Sequence, residues 1–304
     1  MPRTALVTGC SSGIGRATAL RLARGGWQVW ATARRTGSIE ALAAAGCRTL
    51  ALDVTEEESM RRAVEQVEAA SGPVTALVNN AGYSQSGALE TLSLDRVRAQ
   101  FETNVFGLLR MSQLVLPGMR AAGRGTIVNL SSMGGRLTFP GGGAYHASKY
   151  AVEALSDALR MEVAGFGVRV VVVEPGLIRT AFGDTAAGSI PASSGAADGP
   201  YRRFDAAIAE ATTRVYTRGP LARLGGAPEA VAAVIEKAAS AQRPRSRYLV
   251  TPSARVLVTL RRVLPDRGWD AFLRSQFPLP SRAGAPPGAG TPSAPGSGPA
   301  PADR

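Results

Sequence analysis

The stretch TALVTGCSSGIGRATALRLAR, Thr4–Arg24, decides the fold. It opens on a short apolar run, passes through Thr8-Gly9-Cys10-Ser11-Ser12-Gly13-Ile14-Gly15, and continues with apolar residues at helical spacing through Arg24. Strand, glycine turn and helix in that order make a place for a negatively charged group. Glycine lacks the Cβ that would hold a pyrophosphate away from the helix N-terminus, where backbone N–H groups and the dipole attract it. Gly9, Ser11, Ser12, Gly13, Ile14 and Gly15 are therefore the candidate cradle. A glycine cluster alone is a weak signal; its placement between a strand and a helix is what a dinucleotide-binding motif requires.

Outward from this unit the same alternation repeats. Short β-branched runs near 4–8, 28–33, 48–51, 74–79, 125–130, 168–174 and 247–251 read as strands, and helix-period segments near 14–25, 56–70, 93–121, 145–164 and 228–240 fill the gaps. The strands are continuous apolar runs, as expected where helices cover both faces of a parallel sheet. The fold class is α/β: a Rossmann-type doubly wound parallel seven-stranded sheet with helices on both faces. Residues 1–250 are expected to form one NAD(P)-binding domain. It includes a substrate loop, Ala181–Leu224, with a short helix near Tyr201–Thr217. Residues 251–280 form a helical extension, and Ser281–Arg304, rich in Gly and Pro without large apolar groups, is expected to be a disordered tail.

Composition removes several function classes. Cys10, Cys47 and His146 cannot supply the four ligands of a structural zinc site, and two cysteines make no disulfide framework. No run reaches the roughly 18 apolar residues that span a bilayer, and no leader precedes Thr4, so the expectation is a reduced, cytoplasmic protein. The net charge is +12, carried by 33 Arg and only 2 Lys. Nine Arg against Asp266 and Asp270 between residues 243 and 282 hold most of that excess, so a polyanion would bind there. The Arg usage reads as compositional bias, and nothing in the fold argues for nucleic acid.

Gly9-x-x-x-Gly13-x-Gly15 is the spacing at which the chain resembles the short-chain dehydrogenase/reductase family, over roughly residues 4–250. Other segments carry the likeness further: Asp53-Val54 ending the third strand, Asn79-Asn80-Ala81-Gly82 ending the fourth, FETNVFG at 101–107, and Pro175-Gly176-Leu177-Ile178-Arg179-Thr180 after the sixth. The resemblance implies that Asp53 and Val54 face the adenine, that Asn80, Ala81 and Gly82 line the adenosine side, and that Pro175, Gly176 and Thr180 hold the nicotinamide end. NAD enzymes place an acid at the end of the second strand, about 18 residues past the last glycine. Here that residue is Ala33, followed by Arg34 and Arg35. A guanidinium fork suits a 2′-phosphate, so NADP(H) is favoured over NAD(H), the plainer alternative being two arginines on a solvated loop.

Tyr145 and Lys149, four residues apart in YHASKYAVEALSDALRMEV, share one helix face. One of the chain's two lysines stands there, where a compact ammonium can bond a ribose and lower the pKa of a phenol. The family places its catalytic Ser 13 residues before the Tyr, which is Ser132, with Ser131 beside it as support. Asn104 matches the family's Asn, associated with a water that passes protons toward the Lys; the plainer reading is a solvent-facing residue. The implied chemistry is hydride transfer at nicotinamide C4, with Tyr145 moving the hydroxyl proton, Ser132 bonding the carbonyl oxygen and Lys149 holding the ribose.

The glycine turn also reads as Gly-x-Ser-x-Gly. A hydrolase elbow, however, needs an acid and then a His downstream, and the sole His adjoins Tyr145. The alternative on the same fold is a non-catalytic NADP-binding regulator, which would be expected to lose Tyr or Lys first. The segment 247–280 resembles the C-terminal parts of retinol and 17β-hydroxysteroid dehydrogenase-like members, and points to a lipophilic alcohol or ketone as the small-molecule substrate. Within it Val256, Leu257, Leu260, Val263 and Leu264 form an apolar stripe beside Arg255, Arg261 and Arg262. That stripe reads as a helix packed on the body, with a pocket cover or a membrane-surface contact as alternatives. The helices near 93–121 and 145–164 build a dimer face in the family, so a homo-oligomer is expected. Arg34→Asp is expected to equalise or reverse the NADP preference, read from kcat/KM with each dinucleotide; a wild-type preference for NAD would contradict the assignment.

Overall fold

The computed structural model describes residues 3–180, 182, 186, 188–189, 200–217 and 220–277. The tail Ser281–Arg304 and most of 181–199 lie outside the described residues. Seven strands form one sheet: β1 (Thr4–Val7), β2 (Gln28–Ala33), β3 (Arg48–Ala51), β4 (Ala76–Asn79), β5 (Gly125–Leu130), β6 (Val168–Glu174) and β7 (Arg247–Leu249), in the order β3-β2-β1-β4-β5-β6-β7. Every pairing is parallel. The order reverses between β1 and β4, and a doubly wound sheet opens its ligand crevice at such a switch point, beyond the carboxyl ends of the strands.

Alternation along the strands divides the core. Ala5, Val7, Val29, Ala31, Val78 and Val171 face helix α1 (Gly13–Arg24) and the helix Pro228–Ser240, through Leu22, Val231 and Ile235. Leu6, Trp30, Leu77, Ile127 and Val170 face the other way, onto Met60, Val64, Met111 and Val115. Both sets are buried, which is why the strands read as unbroken apolar runs. A short helix, α2 (Glu40–Ala44), precedes β3 and has too few residues to show a period in the sequence. Helix α3 spans Glu57–Ser71.

The span 93–121, which reads as one helix, is three pieces: α4 (Leu94–Phe101), a π-helical turn (Glu102–Phe106) and α5 (Gly107–Ala121). Two contacts set the change of period. A Cβ on Gly107 would lie 2.4 Å from the Val54 carbonyl oxygen, so α5 starts in backbone contact with the turn that follows β3. Asn104 turns inward, accepting from Tyr83 N at 3.1 Å and donating to Tyr83 O at 2.9 Å and to Ser148 Oγ at 3.1 Å. It is 1 % exposed, so the solvent-facing alternative fails.

Helix α6 (Gly143–Glu162) packs against β6, and a polar pair in the sheet helps to locate it. Asn79 and Asn129 are partners in the β4–β5 register, joined by Asn79 Nδ2 to Asn129 Oδ1 at 2.9 Å. Asn79 also donates to Ser112 of α5, and Asn129 to Ser156 of α6. Each of these bonds is buried, so losing one partner would strand the other at roughly 1–3 kcal/mol. At the far edge, Thr251 caps the helix Pro252–Val263, and Ser253 Oγ accepts from Leu177 N at 3.1 Å, tying that helix to the segment after β6. The helix Asp266–Gln276 follows. The expected apolar stripe is split: Leu257 is buried with Ser253 and Ala254, while Val256 and Val263 are 50 % and 73 % exposed. Small polar residues, Thr251 and Ser253, make the docking contact there, while Val256 joins Leu257 and Leu260 in lining a cavity.

Gly107→Ala gains about 1 kcal/mol of helix propensity and loses the backbone contact with Val54. The contact is expected to prevail, so that thermal unfolding shows a Tm several degrees below wild type; a rise would refute this account of the helix start.

Candidate active site

A cavity of about 1470 Å³ runs along the carboxyl ends of the strands. Of the sequence-designated residues, the glycine turn contributes Gly9, Ser11, Ser12, Gly13 and Ile14 to its wall, the ends of β2 and β3 contribute Arg34, Asp53 and Val54, and the end of β4 contributes Asn80, Ala81 and Gly82. Ser132, Tyr145 and Lys149 line it, as do Pro175, Gly176 and Thr180. Gly15 and Asn104 stand one layer behind the wall. A Cβ on Gly15 would meet the Gly9 carbonyl at 2.2 Å, so its role is the close packing of helix on turn.

The geometry of the glycine end fits a dinucleotide phosphate. Gly9 and Gly13 have φ of 72° and 54°, the left-handed region that favours glycine. Asn80 fixes the turn from below, its Nδ2 donating to the carbonyls of Thr8 and Gly9 at 2.9 and 3.0 Å. The Thr8 hydroxyl accepts from the N–H groups of Asn80 and Ala81. Ser12 caps α1 without a side-chain hydrogen bond, and no acid stands in the first turn, so the positive end of the helix dipole is left uncompensated by the chain. Asp53 accepts from Thr55 N and Thr55 Oγ1, which turns the chain after β3. Arg34 is exposed at the rim.

Tyr145 and Lys149 project from α6 into the cavity. Lys149 Nζ donates to the Leu130 carbonyl at 2.7 Å and lies 5.9 Å from the Tyr145 ring centroid. Burial pushes the Tyr145 phenol up to about 12, with a hydrogen bond from Ser132 opposing, and pushes the Lys149 ammonium down to about 8, with the Glu153 charge opposing. Among the protein's own groups desolvation prevails, so Tyr145 holds its proton at neutral pH. Ser132 Oγ also accepts from Gly134 N at 3.0 Å, which fixes the short 3₁₀ turn Met133–Gly135.

The other end of the cavity is apolar, lined by Phe139, Phe182, Ile208, Val215, Leu257 and Phe272. The Phe182 ring packs 5.6 Å from that of Tyr145. The helix Arg202–Thr217 is tied over this end by Asp205, which accepts from Ala88 N, and by Tyr201, which donates to Glu90. Leu257, Leu260, Phe272 and Phe277 also line the cavity, so the two C-terminal helices both pack on the body and cover the pocket. Periodicity alone could not reveal this, because a helix stripe packed on the body and one packed over a cavity have the same pattern.

The sequence did not show the part played by His146, which is buried and lines the cavity beside Tyr145. Its Nε2 accepts from Phe139 N at 3.2 Å, so Nδ1 carries the proton and donates to Gly134 O at 3.0 Å. The ring staples both ends of the loop between Ser132 and Tyr145. Burial lowers its pKa from 6.5 to about 4. An unfolded chain takes up the proton first, so stability is unaffected above pH 6.5 and falls, by roughly 3 kcal/mol from this group, as pH drops from 6.5 toward 4. In denaturant titrations His146→Gln is expected to be the less stable protein at pH 7.5, with the gap closing near pH 4.5; parallel curves would remove the assignment.

Residues 3–188 match the family described as short chain dehydrogenase. An uncharacterized oxidoreductase, YbbO, of Escherichia coli K12 is 37% identical over 275 residues, 90% of this chain and 95% of that protein. A 3-ketodihydrosphingosine reductase of Bacteroides thetaiotaomicron is 43% identical over 60% of this chain and 66% of its own length. An NADPH-dependent 3-dehydrocapnine reductase of Ornithobacterium rhinotracheale is 32% identical over 88% and 95%. Among solved structures, a short-chain dehydrogenase of Streptomyces avermitilis superposes with a TM-score of 0.70 at 34% identity, over 90% of this chain and 99% of that one. With its parallel sheet, its glycine turn and this likeness along nearly its whole described length, the chain belongs to the short-chain dehydrogenase family, as an oxidoreductase acting on a CH–OH group.

Proposed function

We propose that the protein is an NADP(H)-dependent oxidoreductase interconverting a lipophilic secondary alcohol and its ketone, or an alcohol and its aldehyde. The carrying observation is the half-buried Tyr145, bonded to Ser132, in one cavity with a glycine cradle at one end and an apolar wall at the other. Gly9, Gly13 and the α1 N-terminus would hold the pyrophosphate, Asp53 and Val54 the adenine side, Lys149 the nicotinamide ribose, and Pro175, Gly176 and Thr180 the nicotinamide end. The bound dinucleotide supplies or accepts the hydride. Tyr145 gives the proton to the developing alkoxide, Ser132 donates to the same oxygen, and the apolar wall excludes water. A phenol held protonated at neutral pH suits the reducing direction.

NADP(H) over NAD(H) is supported by Ala33 ending β2, where an acid would repel a 2′-phosphate, and by Arg34 at the cavity rim. The NADPH-dependent relative agrees with this. A lipophilic substrate is supported by the phenylalanine and leucine lining, and by the relative named for 3-ketodihydrosphingosine. A homo-oligomer belongs to the same reading, supported by the exposed Leu94, Phe106 and Tyr150 along the stretch from α4 to α6. So does a reducing, cytoplasmic location, supported by the free, buried Cys10 and Cys47. No described helix is long and apolar enough to cross a membrane.

Tyr145→Phe is expected to lower turnover by about 10²-fold or more while leaving NADPH affinity nearly unchanged. The readout is NADPH absorbance with a panel of hydrophobic ketones, beside a fluorescence titration of the cofactor. Turnover close to wild type would end the proposal.

A further inference from the structure

One turn along α6 from Lys149, on the same face, stands Glu153. It is 6 % exposed, and it is not explained by packing alone. Its Oε2 accepts from Arg247 Nε at 3.0 Å, while its Oε1 is buried without a hydrogen-bond partner. Ser131 Oγ, likewise buried and unpartnered, flanks it across Gly135: a Cβ there would lie 2.6 Å from Ser131 Oγ and 3.0 Å from Glu153 Cγ. Nearby, Glu174 at the end of β6 is 1 % exposed and meets Arg136 at 3.1 Å and Arg247 at 3.7 Å. Arg247 is further shared with Asp157, at 2.5 Å. One guanidinium thus serves three carboxylates, of which Glu174 also has Arg136 and Asp157 also has Arg160, while Glu153 has Arg247 as its one ion-pair partner among the described residues.

The groups set around Lys149 can be named element by element. Tyr145 and Glu153 stand on its own helix; the Leu130 carbonyl and the Ser131 and Ser132 hydroxyls end β5; the neutral Asn104 comes from the π-helical turn behind Gly82; Glu174 ends β6, and Arg247 stands on β7. Glu174 is itself raised, by burial first and then by the Glu153 charge. We propose that Glu153 is a positioning residue for the reaction: its buried, half-partnered carboxylate, held by Arg247, supplies the fixed negative charge that the Lys149 ammonium faces inside the protein. A lysine in so dry a place needs such a counter-charge to stay cationic while it bonds a ribose. The inference rests on the functional reading given to Lys149 above.

The chain has only two lysines, Lys149 and Lys237, and Lys237 is exposed, so lysine labelled with ¹³C at Cε yields one signal for the site and one internal reference. In the full wild-type chain, NMR titration is expected to place Lys149 near 8, with the Lys237 signal as the internal reference. Glu153→Gln should lower the Lys149 midpoint by about one unit or more and leave Lys237 in place. Asp157→Asn, which removes a different Arg247 partner, should move neither. The alkaline limb of the pH profile for ketone reduction should fall with the Lys149 midpoint in Glu153→Gln and return in Glu153→Asp. Should the Gln variant not fold, Arg247→Gln, which removes the competing cation, is expected to raise the midpoint. A Lys149 midpoint unmoved by these changes, or an ordinary lysine value in wild type, overturns the inference. If the midpoint moves as expected but Tyr145→Phe retains turnover, the enzymatic reading falls and the electrostatic one stands.

Discussion

A Cβ on Gly15 would stand 2.2 Å from the Gly9 carbonyl oxygen and 2.5 Å from the Asn80 amide, and one on Gly9 would stand 2.9 Å from Ala81 Cα. This backbone-to-backbone meeting of β1, α1 and the end of β4 is the constraint from which the rest of the site follows. It lets α1 point its N-terminus into the crevice at the place where the strand order reverses. It also brings the chain after β4 against the turn, so Asn80 can bind two of its carbonyls. Any side chain at either glycine would have to move backbone rather than a flexible tip, and the cradle would open.

From the cradle outward, the order of the site is kept by buried polar contacts. The Asn79–Asn129 pair holds α5 and α6 against adjacent strands, and α6 carries Tyr145, Lys149 and Glu153 on successive turns of one face. His146 ties the neighbouring loop at Gly134 and Phe139, so Ser132 and the apolar wall are fixed by the helix that bears the phenol. The chemistry of the site is therefore set by desolvation as much as by contact. The same burial that raises the phenol lowers the ammonium, and the Glu153 charge opposes the second effect.

Much of this was legible in the amino-acid chain. The glycine spacing, the missing acid at Ala33, the Tyr145–Lys149 step and the apolar strand runs each follow from a local requirement of backbone or charge. A local requirement leaves its mark on residue type. The break in the 93–121 helix left no such mark, because it arises where Gly107 meets Val54, 53 positions earlier in the chain. The inward turn of Asn104 and the split stripe at Val256 and Val263 likewise depend on which neighbour lies across a gap.

The sequence by itself determined the sheet, the cradle at its switch point and the residue types available for proton transfer, since strand period, glycine and a near-unique lysine are properties of short segments. Only the tertiary structure decided that His146 is a staple, that the C-terminal helices roof the cavity, and that Glu153, Glu174, Arg136 and Arg247 meet behind Lys149. Charges and rings distant in the chain interact through the dry space between them, and that space exists only after α6, β6 and β7 have packed.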